Sequence, residues 1–378
     1  MNKGKLKEII ILSGISSAET GGAVNILHHV KLTEKLYCYK IYLTESGTFK
    51  EKLDLLGIPN IVCSIRSKFD FLGYMKFIWH LLREREIHCF HTHTERICVL
   101  FNPILWFLGK KVVTTVHRNI SISSIWNSKL LISLFVKLEN FSLRYFTHRI
   151  IYVSETLRRQ LSDYRDINTE SSVYKYFPSK PDIGDDKKDN DYPFYEIEKL
   201  KEKKHFLIGS IIRATPEKGL DILIEQFVKF KKTNIGSCDV ALIVFGESYD
   251  NYYTAYGNEL SNEDLQIILE SILFTGLQNC VHKFFSQIDL YMQPSRSESY
   301  GLAVLEASHF NLKITTSNIA VFYETLKDYT GHDVIELNDD SILKYLQKNI
   351  NSSIPVTKNY DWEIVQHPYV EHDVYSTF

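Results

Sequence analysis

The sequence has no long apolar run, no paired cysteines, no dinucleotide glycine fingerprint and almost no net charge, and each absence removes a class of protein. No stretch of its 378 residues is apolar for long enough to span a bilayer. The N-terminus, MNKGKLKEIIILSG, carries lysines ahead of an apolar run too short for a signal-peptide core. The six cysteines (Cys38, Cys63, Cys89, Cys98, Cys238, Cys280) are scattered without a C-x-x-C pair. That pattern fits free thiols in a reducing cytoplasm rather than a disulfide framework or a zinc site. A net charge of −2 gives nucleic-acid binding no bulk support. G-x-G-x-x-G is missing, so there is no nicotinamide-type fingerprint. There is also no internal repeat of fixed period.

What remains is an ordinary globular composition, 44% hydrophobic and 24% charged, in a chain long enough for two cores. Short β-branched runs alternate with helical stretches. Strands are expected at 7–12, 37–44, 61–65, 87–93, 111–117 and 149–154. Helices are expected at about 23–36, 49–56, 71–85, 95–108 and 125–147. The domain boundary is expected between 178 and 204, where the charged, turn-rich stretch 179–193 reads as a linker. It contains a D-x-D pair, Asp189 and Asp191; such a pair can hold a metal, but in a charged linker it reads as solvated. The alternation then resumes with strands at 205–212, 239–245, 272–275, 288–293 and 313–317. Helices are expected at 220–231 and 282–286, from about 301, and near Glu324. Alternation of this kind makes an α/β protein with parallel sheets covered on both faces. Ligands of such sheets bind beyond the carboxyl ends of the strands.

Several candidate residues fall at those ends. Gly21-Gly22 follows the first strand, either as a plain turn or as a place where backbone approaches a ligand. His91 and His93 alternate on one strand, a spacing that suits structural roles better than chelation because no third ligand is apparent. His117 ends the KVVTTVH strand, either as a hydrogen-bonded loop histidine or as a ligand contact. In the second half, Arg213 and Lys218 share one short loop, and converging cations bind diphosphate well through charge-assisted hydrogen bonds. Finally, residues 294–326 hold Glu298 and Glu306 on either side of Ser299-Tyr300-Gly301-Leu302, where a loop runs into a helix. Open N–H groups at a helix start favour an anion. A carboxylate on each side suits a ligand with hydroxyls at both ends and phosphate between.

That segment resembles the E-x7-E signature of retaining glycosyltransferases of family 4, which have the GT-B architecture. The resemblance implies two Rossmann-like domains facing across a cleft, the last helix crossing back onto the first domain. The expected boundaries are 1–180, with 360–378 packing back, and 181–359. It implies that Arg213, Lys218, Gly301, Leu302 and Gly22 hold the donor diphosphate. Glu306 would hold the ribose, Glu298 with Ser299 and Tyr300 the sugar, and His117 would reach the sugar from the first domain. Domain closure would exclude water. No metal or other cofactor is expected, since cations and amides can carry the growing charge. The expected reaction is retaining transfer from a UDP- or GDP-sugar to a glycan or lipid-linked acceptor in bacterial surface polysaccharide synthesis (lipopolysaccharide, O-antigen, capsule or exopolysaccharide). A GT-B nucleotide-sugar epimerase and a non-catalytic GT-B-like partner are the alternatives. Two positions depart from the pattern: Gly246-Glu247-Ser248 lacks a second glycine, and Asn311 stands where a glycine is usual.

Charge is unevenly spread. Residues 66–149 carry thirteen Lys/Arg and five Asp/Glu, a local charge of +8. Phe69, Phe71, Tyr74, Phe77, Trp79, Trp126, Leu130, Leu131 and Phe135 accompany them. Either these helices bury their apolar sides and expose the charges, or they touch an anionic membrane at the inner face of the cell.

Overall fold

The structure, a computed structural model, describes residues 7–18, 20–65, 70–117, 129–165, 170–173, 192–202, 206–233, 239–278, 281–350 and 375. The chain divides into two compact units: Met1–Tyr176 with Pro368–Phe378, and Phe177–His367.

The first unit alternates strand and helix: β1 (Lys7–Ser13), α1 (Gly21–Thr33), β2 (Tyr37–Leu43), α2 (Thr48–Leu55), β3 (Asn60–Val62), α3 (Phe71–Arg83), β4 (Cys89–His93), α4 (Glu95–Phe107), β5 (Lys111–Val116), α5 (Lys129–Tyr145), β6 (Arg149–Tyr152), α6 (Glu155–Arg165) and β7 (Glu170–Val173). The strands form one sheet in the order β3-β2-β1-β4-β5-β6-β7, parallel throughout. Ile9 to Leu12 of β1 are all buried, as both faces of a covered parallel sheet require. Helix α3 shows how helices attach. Asp70 caps it by accepting from the Gly73 N–H at 2.9 Å, and Gly73, Phe77 and Leu81, four apart, form the buried stripe. Helix α6 and strand β7 were not expected from the sequence, and the expected helix 125–147 is described only as α5.

The second unit starts with α7 (Tyr192–Glu202), an unexpected helix within the boundary region 178–204 that begins at the end of the stretch read as linker. Ile197 is fully buried there and Phe194 and Leu200 pack beside it, a three-residue apolar spacing concealed by the acidic and basic residues around it. The unit continues with β8 (Phe206–Ile211), α8 (Leu220–Thr233), β9 (Val240–Phe245), α9 (Tyr249–Tyr256), α10 (Asn262–Ser271), β10 (Ile272–Gly276), α11 (His282–Phe285), β11 (Leu290–Gln293), α12 (Leu302–His309), β12 (Lys313–Ser317), α13 (Ala320–Thr325), β13 (His332–Ile335) and α14 (Ser341–Ile350). Its sheet is parallel, in the order β10-β9-β8-β11-β12-β13. Strand order reverses between β8 and β11, the crevice where open α/β sheets bind ligands. Elements α9, α10, β13 and α14 were not expected. Asn311 adopts φ +51°, so an asparagine, which tolerates the left-handed region, makes the turn a glycine usually makes.

Among the described residues, no helix is long and apolar enough to cross a membrane. Cys38 is exposed and Cys63, Cys89 and Cys98 are buried, all four as free thiols.

Candidate functional site

In the second unit the loops after β8 and β11 meet at the reversal point. The first carries a 3-10 turn, Pro216–Lys218, and then Gly219. Gly219 has φ +76°, and a Cβ there would lie 2.1 Å from the Pro294 carbonyl oxygen. Only glycine lets the two loops touch. The N–H groups of Arg296 and Ser297 then donate to the Glu217 carbonyl, at 2.8 and 3.2 Å. The Arg296 guanidinium forks onto both carboxylate oxygens of Asp221, at 2.8 and 2.7 Å, the strong bidentate arrangement. Arg296, Asp221 and Glu217 escaped the sequence reading, because nothing in the spacing pairs positions so far apart.

This stitching brings Lys218 to Glu298, with Nζ 2.7 Å from Oε1 and side chains 22% and 12% exposed. The sequence reading gave the two residues separate tasks; the structure makes them direct partners. Ser295 Oγ also donates to Glu298 Oε1, at 3.0 Å. Arg213 is exposed, and its guanidinium makes no hydrogen bond or ion pair among the described residues; its carbonyl accepts from the Thr215 N–H at 2.7 Å. The loop beside it is braced by Glu247, which accepts from the N–H groups of Ala214 and Ser248 at 2.6 and 3.0 Å and from Asn251 Nδ2 at 2.8 Å. A carboxylate at 247 thus has its own task where a second glycine was missed at 248.

Helix α12 opens this site on its other side. Gly301, not the first helical residue but the N-cap, has φ +81° and leaves the helix without a side-chain cap. A Cβ on it would come within 3.1 Å of the Phe322 ring. The N–H groups from Leu302 onward therefore start an anion-favouring end. Ser299 is half-buried and Tyr300 is buried; the Tyr300 carbonyl accepts from Thr325 Oγ1. Glu306 sits one turn into α12, where burial pushes its carboxyl up to about 7.

In the first unit Gly22 and His117 come together. A Cβ on Gly22 would be 2.6 Å from Ile15 Cδ1 and 3.9 Å from His117 Cε1. His117 Nε2 hydrogen-bonds His93 Nδ1 at 2.9 Å. His91 lies against His93, with ring centroids 4.2 Å apart. Its Nε2 bonds Thr115 Oγ1 at 2.7 Å and its Nδ1 bonds Tyr375 Oη at 2.6 Å. Burial holds His91 and His93 well below the ordinary imidazole range, so both are neutral. The two rings therefore lie one against the other behind His117, which His93 alone of the pair hydrogen-bonds. His93 Nε2 is buried without a hydrogen-bond partner among the described residues. Asp189 and Asp191 lie outside the described residues, as does the expected tail 360–378 apart from Tyr375, which is buried beside His29 and His91.

Comparison with known proteins gives this arrangement a family. Residues 192–360 match the model described as glycosyl transferases group 1, and residues 42–173 match glycosyltransferase family 4. The chain is 25% identical over 260 residues to the O-antigen biosynthesis glycosyltransferase WclY of Escherichia coli, a match covering 65% of this chain and 64% of that protein. It therefore spans a little under two thirds of that relative's length. It is 24% identical over 300 residues to the phosphatidylinositol N-acetylglucosaminyltransferase GPI3 subunit of Saccharomyces cerevisiae, covering 75% of this chain and 62% of that one. Among solved structures, HepE of Anabaena in complex with UDP and glucose matches with a TM-score of 0.69 at 16% identity, over 91% of this chain and 90% of that one. WaaG, a glycosyltransferase involved in lipopolysaccharide biosynthesis, matches with a TM-score of 0.65 at 11% identity, over 91% and 89%. At these identities the structures speak to fold alone. With both family models matched in their expected halves, the chain belongs to glycosyltransferase family 4 and has its GT-B fold of two Rossmann-like α/β units.

Proposed function

We propose that this protein moves a sugar, with retention of anomeric configuration, from a UDP- or GDP-linked donor to a glycan or lipid-linked acceptor. The pathway we assign is a bacterial surface polysaccharide, such as O-antigen or another lipopolysaccharide part, capsule or exopolysaccharide. The observation that carries the reading is the convergence of Lys218, Glu298 and the uncapped start of α12 at the strand-order reversal of the second sheet. A cation, an anion-favouring helix end and a carboxylate in one place match a diphosphate with a hydroxylated group beyond it. The names of the relatives support the same reading: WclY in O-antigen biosynthesis, WaaG in lipopolysaccharide biosynthesis and HepE with UDP bound.

In this scheme Arg213, Lys218, Gly22 and the N–H groups at Gly301 and Leu302 take the diphosphate. Glu306 takes the ribose, while Glu298, Ser299 and Tyr300 take the sugar. The chemical task is to stabilise charge growing on a departing nucleoside diphosphate. Fixed cations and backbone donors do so without reorganising, so transfer is expected to need no metal. His117 is assigned to the transferred sugar. No side chain is assigned as a nucleophile; the departing phosphate helps take the acceptor's proton on the same face.

Helices α3, α4 and α5 add a location. Phe71, Leu72, Trp79, Phe107, Leu130 and Phe141 are exposed on them, among the exposed cations Lys76, Arg83, Lys137 and Arg144. The Arg83 guanidinium lies 3.4 Å over the Trp79 ring. Helices α3 and α4 bury other apolar residues, Phe77 and Leu81 on one and Ile97, Phe101 and Leu105 on the other, so core packing does not use up their aromatics. Cations beside exposed aromatics suit an anionic lipid surface, and we assign this face to peripheral membrane contact.

The reading is tested by turnover. The protein is supplied with UDP- and GDP-sugars and a membrane extract as acceptor, with and without EDTA. Glycosyl transfer that EDTA leaves unchanged supports it. Epimer formation, no turnover of any donor, or complete loss in EDTA restored by magnesium overturns the part concerned.

A further inference from the structure

The stretch 291–295 runs extended out of β11, so its alternate residues Tyr291, Gln293 and Ser295 share one side. All three are buried, at 0%, 2% and 0% exposure. Their polar groups form a single file. The Ile211 N–H, at the end of β8, donates to Tyr291 Oη at 3.4 Å. Tyr291 Oη donates to Gln293 Oε1 at 2.8 Å. Gln293 Nε2 donates to Ser295 Oγ at 2.9 Å, and Ser295 Oγ donates to Glu298 Oε1 at 3.0 Å.

The direction of this file is fixed at both ends. A backbone N–H can only donate, and an ionised carboxylate can only accept. Ser295 has one proton and gives it to Glu298, so it must accept from the amide nitrogen of Gln293. The amide oxygen then faces Tyr291, whose one proton it takes. Burial, with the charges of Glu298 and Glu306 adding to it, pushes the Tyr291 phenol well above its ordinary value, so that proton stays in place.

Lys218 reaches the same carboxylate oxygen, Oε1. Oε2 accepts no hydrogen bond among the described residues. One oxygen of Glu298 is therefore satisfied from two sides by the protein, and the other is left for something else.

We propose that Gln293 is a positioning residue for the donor sugar: with Tyr291 and Ser295 it anchors Glu298 through Oε1, so that Oε2 alone is presented to the sugar hydroxyls. This rests on the reading that Glu298 meets the sugar. Gln293 is the pivot because its amide accepts through one atom and donates through another, whereas the hydroxyls of Tyr291 and Ser295 accept and donate through a single oxygen. A carboxylate in its place would accept on both sides. Ser295 would then turn its proton towards residue 293, and Glu298 would lose its anchor. Protonating that new carboxylate would restore a donor facing Ser295 and with it the original order.

The test compares wild type with Glu298→Gln, Gln293→Glu and Tyr291→Phe, reading nucleoside diphosphate release from UDP-glucose, UDP-N-acetylglucosamine and GDP-mannose. Glu298→Gln should abolish most turnover. Gln293→Glu should lose roughly tenfold or more in kcat near pH 8, the scale of a lost charge-assisted hydrogen bond. Relative to wild type at the same pH, it should recover several-fold near pH 5.5 as the new carboxylate protonates. Tyr291→Phe keeps the ring and should lower kcat several-fold while binding the bare nucleoside diphosphate like wild type. If Glu298→Gln is inactive but Tyr291→Phe and Gln293→Glu match wild type, the inference is wrong and the reading of Glu298 stands. A Gln293→Glu loss that acid does not relieve, beside an unchanged Tyr291→Phe, also overturns it. Should Gln293→Glu not fold, Tyr291→Phe alone decides. An active Glu298→Gln, or a wild type that turns over none of the donors, removes the reading and the inference together.

Discussion

Lys218 and Glu298 are held 2.7 Å apart, although they come from loops that follow different strands of the second sheet. The pair exists because Gly219 lets its loop lie against the Pro294 carbonyl and because Arg296 ties that contact to Asp221. An ammonium has three donors, so Lys218 can keep Glu298 and still reach a phosphate oxygen. The two residues should therefore act as one unit. A double-mutant cycle on kcat/KM with Lys218→Met and Glu298→Gln should show a coupling of about 1 kcal/mol or more, as groups in direct contact do. Effects that simply add would mean the pair has no common task.

Behind His117 stands His93, buried and neutral. One of the two rings donates across the 2.9 Å contact, and the choice sets which nitrogen of His117 carries its proton. If His93 donates, its partnerless Nε2 is a bare acceptor; otherwise it is an orphaned donor, the rarer and costlier case. We therefore expect His93 to donate, leaving the His117 proton on Nδ1. Replacing His93 by Phe should slow transfer roughly fivefold, the equivalent of one hydrogen bond of about 1 kcal/mol, with little change in donor KM. Unchanged kcat would show that His117 is oriented by other groups.

Glu306 gives a pH signature. Burial raises its carboxyl from an ordinary 4.5 to about 7 in the folded chain. Between those values the folded state holds more protons than the unfolded one, so stability falls as pH rises and levels off above about 7. Glu306→Gln imitates the protonated form and escapes that loss. Its melting temperature should exceed that of wild type by a margin that grows from about pH 5 to about pH 8. A margin independent of pH would mean Glu306 is not held in this way.

The exposed aromatic and basic face of α3, α4 and α5 is expected to bring the protein down with vesicles rich in anionic lipid. Binding should weaken between about 0.1 M and 1 M salt, as the screening length shrinks from roughly 10 Å to roughly 3 Å. Phe71→Ser with Trp79→Ser should weaken it further. No sedimentation at low salt would remove the membrane assignment.

The alternation of strands and helices was legible because strands such as VALIVF (Val240–Phe245) are buried on both faces and read as unbroken apolar runs. Helix α7 was missed at the domain boundary because its apolar positions are few and charged residues surround them. The placement of the candidate residues was legible as well: Lys218, Glu298, Gly301 and Glu306 follow strands of the second sheet, and His117 follows a strand of the first. Their pairing was not. The contact of Lys218 with Glu298 depends on β8 lying beside β11, with Ile208 opposite Leu290, and sequence spacing carries no record of that register. The file through Gln293 left only a faint trace, three polar-tipped residues two apart. That His91 and His93 share one strand was legible; that His117 joins His93 was not, because it depends on β4 lying beside β5.

The most direct measurement is the rate of glycosyl transfer by Arg213→Ala, Lys218→Ala and Glu298→Ala, each confirmed as folded by its thermal melt. If the loops after β8 and β11 bind and activate a nucleotide sugar, each variant should lose roughly a hundredfold or more in kcat/KM, as loss of a fixed charge-stabilising group does. Near-wild-type rates in all three would contradict the assignment of this site.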